Sequence, residues 1–203
     1  LNMASGQSGT WTNTQESLSA ADQATTGQQQ ALKLDCTTAN SSYGAPDYLA
    51  VKYNFEGQDL QVIKKGTSAA ETMTIAFWVK STKTGTYCIV LYDNDNNRLM
   101  SNSYTVDTTD TWEQKIFAVP ADTTGALAND NSSSIEINFV VLAGTNYTSG
   151  SLATSWATYS AVNEAPGQVN GGDSTSNNFH ITGIQVEVGT YTSADLPPFR
   201  DET

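Results

Sequence analysis

Apolar and polar side chains alternate with a period of two through much of this chain, the pattern of half-buried β-strands. From Met73 to Lys80, the β-branched or aromatic residues Ile75, Phe77 and Val79 alternate with Thr74, Ala76, Trp78 and Lys80. Residues Thr86 to Tyr92 are apolar on both faces, as in a central strand. Asp93-Asn-Asp-Asn-Asn97 then reads as a turn, because Asn and Asp tolerate positive φ and bond their own backbone. The chain returns over Arg98 to Val106, turns at Asp107-Thr-Thr-Asp110, and alternates from Trp112 to Val119 before Pro120. Ser134 to Val141 sets Ile135, Ile137, Phe139 and Val141 against Glu136 and Asn138. In the last strand Phe179 and Ile181 share one parity, and Ile184, Val186 and Val188 share the other. A change of phase at Gly183 predicts a β-bulge that keeps all five on the core face.

Ala31 to Thr37, Tyr48 to Glu56 and Leu60 to Ile63 add further candidate strands, and no segment shows a convincing amphipathic helix. Short strands punctuated by Gly, Pro, Asn and Asp predict an all-β fold, a two-sheet antiparallel jelly-roll sandwich of about 8–10 strands. Residues 31–200 are assigned to the sandwich, and residues 1–30 to an N-terminal polar strand or arm within one domain overall. Residues 144–178 lack a comparable strand pattern, and a loop region this long on a rigid scaffold is where function tends to sit.

Composition narrows the function classes. The net charge is −12, and apart from Arg200 every Lys and Arg lies between Lys33 and Lys115. Nucleic-acid binding needs Lys and Arg to neutralise phosphates, so no nucleic-acid partner is expected. No apolar run approaches the roughly 18 residues of a membrane helix, so no membrane insertion is expected. Neutral glycans need no net charge and remain open as ligands. Leu1-Asn-Met-Ala carries no signal-peptide pattern, and the chain's ends look like those of an excised segment.

Catalytic chemistry finds little support. His180, the lone histidine, sits in a strand between Phe179 and Ile181, and no Gly-x-Ser-x-Gly elbow accompanies it. Cys36 and Cys88 make no disulfide framework, and Cys88 reads as a small buried hydrophobe. Most acids fall in turns, which leaves Glu136 and Glu187, on polar strand faces, as the better candidates for a carboxylate pair. Asp93 to Asn97 starts like a Ca²⁺ loop, but Arg98 stands where its glycine belongs and Tyr104 where its bidentate Glu belongs. No enzyme, no metal site and no cofactor is expected, although the oxygen-rich loops leave structural calcium open.

Aromatics carry the remaining signal, since sugar rings stack their C–H faces on Trp and Tyr. Tyr147, Trp156 and Tyr159 lie in the long loop region beside Asn146 and Asn163, and Tyr43 and Tyr48 flank a Gly-Ala-Pro turn. Tyr147, Trp156, Tyr159 and Tyr48 are the candidate glycan-binding residues; each could instead anchor its loop. Trp78 and Trp112 fall inside strand patterns and read as core.

Phe55-Glu-Gly-Gln-Asp-Leu60, Lys65-Gly-Thr, Met73 to Ser81, Gly85 to Asn96, Leu152-Ala-Thr-Ser-Trp156 and Phe179 to Gly189, with Pro198-Phe199-Arg200 near the end, are blocks that resemble structural proteins of tailed phages and marine viral metagenomes. The resemblance covers most of residues 28–200. It implies a virion-surface protein with a jelly roll similar to carbohydrate-binding modules, placed on a tail fibre or in a receptor-binding or adhesion role. A purely structural capsid decoration, head fibre or tail component without ligand is the alternative. Other virion proteins, a homotrimeric assembly and host-surface polysaccharide are the partners it implies.

Overall fold

A computed structural model of the protein describes residues 9–200 and the strand-forming residues 3 and 4. Leu1, Asn2 and Asp201–Thr203, on which the reading of the chain's ends drew, lie outside the described residues. In chain order come β1 (Met3–Ala4), β2 (Thr10–Ser17), α1 (Ala20–Thr26), β3 (Gln30–Thr38), β4 (Tyr48–Glu56) and a 3-10 helix (Gly57–Ile63). Next are β5 (Met73–Ser81), β6 (Gly85–Asp93), β7 (Arg98–Val106), β8 (Glu113–Val119) and β9 (Ser133–Ala143). The chain ends with α2 (Thr145–Thr148), β10 (Ala157–Thr158), a 3-10 turn (Ala161–Asn163) and β11 (Asn178–Val188).

The strands form two sheets, in the orders β1-β4-β9-β6-β7-β10 and β2-β3-β11-β5-β8. Every pairing is antiparallel. Let the long strands β3, β4, β5, β6, β7, β8, β9 and β11 carry the letters B to I. The sheets then read C-H-E-F and B-I-D-G, the jelly-roll order, in which successive strands cross between sheets except at the β6–β7 hairpin. The expected fold class is the observed one.

Alternation sets the core. Ile75, Phe77 and Val79 of β5 meet Ile135, Ile137, Phe139 and Val141 of β9 between the sheets. Phe77 is fully buried, with the rings of Tyr104, Phe117 and Phe139 packed edge-on at 5.2, 6.0 and 4.8 Å. Trp112 and Trp78 lie elsewhere: with Leu18 and Ala31 they form a small cluster on the outer face of the five-stranded sheet. His180 sits on that face, buried, with its ring 6.1 Å from Trp112 and Nδ1 2.7 Å from Glu16. The contact with Glu16 is close but not aligned as a hydrogen bond. Burial holds the His180 pKa below its ordinary value, which favours the neutral ring.

Two expectations change. The register of β11 against β5 shifts between Thr182 and Gln185, so two residues face Phe77 alone, and Gly183 takes φ +57°. The bulge is where it was expected, and Phe179, Ile181, Val186 and Val188 pack on the core. Ile184 does not; inside the bulge its side chain turns out and is 37% exposed. Leu60 to Ile63 is helical, not a strand. Leu60 and Ile63 are both buried at a spacing of three, which eclipses them on one side of a 3-10 helix. At the edge of the five-stranded sheet, β2 pairs along β3. There, α1 is started by the Ser19 hydroxyl accepting from Asp22 N–H and ended by Gly27 in the left-handed conformation.

Candidate binding cleft

Residues 144–178 fold back over the outer face of the six-stranded sheet. Tyr147, Leu152, Ala153, Tyr159 and buried Ala165 cover Tyr48, Ala50, Cys88, Val90, Leu99 and Val140. Cys88 is accordingly buried and free, and burial pushes its thiol up to about 12. Backbone bonds pin the segment: Tyr159 N–H donates to Asn97 O, and Ala165 N–H to Tyr147 O.

The covering stops short and leaves a cleft of about 330 Å³. Lys52 and Tyr48 come to it from β4, Glu136 and Asn138 from β9, and Val90 and Tyr92 from β6. The covering segment contributes Tyr147, Tyr159 and Glu164. The same alternation that buries Ile135, Ile137 and Phe139 aims Glu136 and Asn138 outward, and pairing places Lys52 and Val90 on either side of Asn138.

Two ring pairs line the cleft. Tyr48 and Tyr147 lie 4.8 Å apart, tilted by 56°, and Tyr92 and Tyr159 lie 5.0 Å apart at 63°. The Tyr159 hydroxyl donates to Glu164 Oε1 at 2.7 Å. The Tyr48 hydroxyl is buried near the same carboxylate yet makes no well-formed hydrogen bond. Burial raises the Glu164 pKa above its ordinary value, against the lowering effect of the two phenols. Glu136 is tied instead to Lys52, with Nζ 2.5 Å from Oε2. This set can stack an apolar ring face and hydrogen-bond its substituents at once.

Three of the four sequence-predicted residues, Tyr48, Tyr147 and Tyr159, therefore meet in one cleft. Trp156 does not join them. Its indole Nε1 donates to Pro120 O at 3.1 Å, and the Lys65 ammonium sits 5.1 Å from its ring centroid. Tyr43 also lies outside the cleft lining. Glu136 and Glu187 are on different sheets and form no pair. Tyr92 and Lys52 were legible as strand residues but not as site residues, and Glu164, in an irregular segment, gave no periodic signal at all.

The acid-rich turn after β6 holds a cation of its own. Lys65 Nζ lies 2.6 Å from Asp93 Oδ2, 3.0 Å from Asp122 Oδ2, and donates to Thr124 O and Gly125 O, both at 3.0 Å. Arg98 grips Asp122 with two bonds of 2.7 and 3.1 Å and also donates to Trp156 O. Burial opposes ionisation of Asp122, but the bonds from Arg98 and Lys65 win and hold its pKa below the ordinary value. Two acids and two cations balance, and Trp156 is locked into this network.

No known family profile matches the chain, and no curated protein is similar to it. Among solved structures, it is similar to the xylan-binding CBM22-2 domain of Paenibacillus barcinonensis Xyn10C, at 16% identity. The match covers 88% of this chain and 91% of that one, with a TM-score of 0.40. A family 11 carbohydrate-binding module from Clostridium thermocellum, in complex with a mixed-linked tetrasaccharide, matches at 12% identity. There the coverage is 88% and 84%, and the TM-score 0.37. The enzymatically active domain of tailspike protein 4 from bacteriophage CBA120 matches at 12% identity and a TM-score of 0.42. It is matched over 88% of this chain but only 19% of that one. At these values the likeness is one of fold alone.

Proposed function

We propose that this chain is a carbohydrate-binding jelly-roll module, displayed on a virion surface as part of a tail fibre or other host-attachment structure. The observation that carries the binding role is the tyrosine-lined cleft, where four phenol rings share one lining with Asn138, Glu136 and Glu164. Stacking surface beside hydrogen-bonding groups is what a sugar ring needs. Among the described residues of the first thirty, Met3–Ala4 pair with β4, and Thr10–Ser17 and Ala20–Thr26 form β2 and α1 beside β3.

The reading is of binding without catalysis. Hydrolysis of a glycosidic bond uses two carboxylates in separate acid and base or nucleophile roles. Here Glu136 is ion-paired with Lys52 and Glu164 accepts from Tyr159, so both lining carboxylates are engaged by the protein. The virion location and a homotrimeric assembly rest on the sequence resemblance.

A glycan array followed by calorimetry tests the binding role. Saturable binding should fall at least about tenfold in Tyr147→Ala and Tyr159→Ala, with the thermal transition still cooperative. No binding to any glycan at high protein concentration would overturn it. Antibody labelling of particles in electron micrographs tests the location, and reducing-sugar release from a bound polysaccharide would refute the non-catalytic reading.

A further inference from the structure

We infer that the cleft selects a cationic sugar, an amino sugar bearing a free amine, over its neutral counterparts. This rests on the carbohydrate-binding reading and names the ligand class for the same site. The juxtaposition that points to it is four tyrosines lining one cleft with a carboxylate that no lysine or arginine pairs among the described residues. Tyr48 with Tyr147, and Tyr92 with Tyr159, supply two ring pairs at 4.8 and 5.0 Å, and Glu164 shares the lining with them. Aromatic faces carry negative quadrupole density, and an ammonium held among several of them is stabilised electrostatically.

The charges in the cleft favour the same ligand. Lys52 is the one base in the lining, and it is committed to Glu136 at 2.5 Å. Glu164 has no lysine or arginine partner among the described residues; its neighbours are the phenols of Tyr159 and Tyr48 and the distant Glu136. The Tyr48 hydroxyl, on a side chain only 7% exposed, lies near Glu164 without a well-formed hydrogen bond. A buried hydroxyl so poorly bonded costs free energy, and a ligand hydroxyl, which can both accept from it and donate to it, would lower that cost. An amine in the cleft would donate to Glu164 in a charge-assisted bond and stand against tyrosine rings. An anionic sugar would meet two carboxylates and only one, already paired, lysine.

Calorimetry on the whole chain with three probes tests this: a glucosamine tetramer, its fully N-acetylated form, and a neutral glucose tetramer of the same linkage. The titrations run near pH 6, where an aliphatic amine carries its proton. The glucosamine tetramer should bind at least about tenfold tighter than either neutral probe, and Glu164→Gln should abolish that preference. The Gln variant keeps the size of the side chain and a hydrogen-bonding group, so residual binding of the neutral probes checks that the cleft is intact. Equal or weaker binding of the amine form would overturn the inference and leave the carbohydrate-binding reading standing. Absence of binding by all three probes overturns the inference too, and an empty glycan array alongside it would take down both.

Discussion

The Tyr159 phenol donates a 2.7 Å hydrogen bond to Glu164, five residues further along the chain, and so joins the wall of the cleft to its buried acid. The acid feels opposing influences. Burial raises its pKa from an ordinary value of 4.5, while the bond from Tyr159 lowers it. A group whose folded pKa is raised binds its proton more tightly in the native state than in the unfolded chain. The stability it contributes is therefore fully present below pH 4.5 and is lost as pH rises through the raised value. Tyr159→Phe removes a lowering influence, so the Glu164 carboxyl resonance should titrate at higher pH in the variant. Glu164→Gln should flatten the fall in melting temperature above pH 4.5, where other groups permit a comparison. An unchanged titration in Tyr159→Phe would mean the bond does not control the acid.

Lys65 sits with its side chain 2% exposed against Asp93 at 0%. Removing one member of such a pair leaves a buried charge without compensation, which costs about 3–5 kcal/mol. Lys65→Met should lower the unfolding free energy in urea denaturation by that amount, and adding Asp93→Asn should recover part of the loss. A double variant no better than the single one would show that the carbonyls of Thr124 and Gly125 carry most of the contact.

Trp156 and Tyr147 should separate stability from binding. Trp156 packs half-buried on the core and is held by Pro120 and Lys65. Trp156→Ala should cost about 2–3 kcal/mol in urea denaturation, below the range for a fully buried aromatic, with little change in glycan affinity. Tyr147→Ala should do the reverse. Loss of affinity in folded Trp156→Ala would place the ligand across both regions.

Gly183 occupies the bulge at φ +57°, and a Cβ there would come within 3.3 Å of Trp78 Cδ1 and 3.4 Å of Gln28 Cγ. An L-residue pays about 1–2 kcal/mol for that conformation before any contact is counted. Gly183→Ala should lower stability by at least about 1 kcal/mol without changing the register of β11. Deleting Gly183 should heal the bulge: Ile184 would pair with Phe77, and Phe179, Ile181, Val186 and Val188 would keep their partners and faces, so the variant should still fold.

Strand positions and faces were legible in the sequence because a strand's side chains alternate whatever lies around it. Ile135, Ile137 and Phe139 had to face one way and Glu136 and Asn138 the other. The phase change at Gly183 announced the bulge for the same reason. Local pattern misled at Leu60 to Ile63, where apolar residues three apart suit a buried 3-10 helix as well as their composition suits a strand. The cleft was a different kind of problem. Tyr48 and Tyr147 are neighbours because β4 and β9 pair and the chain after β9 folds back over their outer face. Glu164 joins them from an irregular segment, and Trp156, equally aromatic and in the same segment, is drawn away to Lys65. Composition could nominate those side chains. Which of them meet depends on contacts between residues far apart in the chain, and those exist only once the sheets have paired and the segment has packed across them.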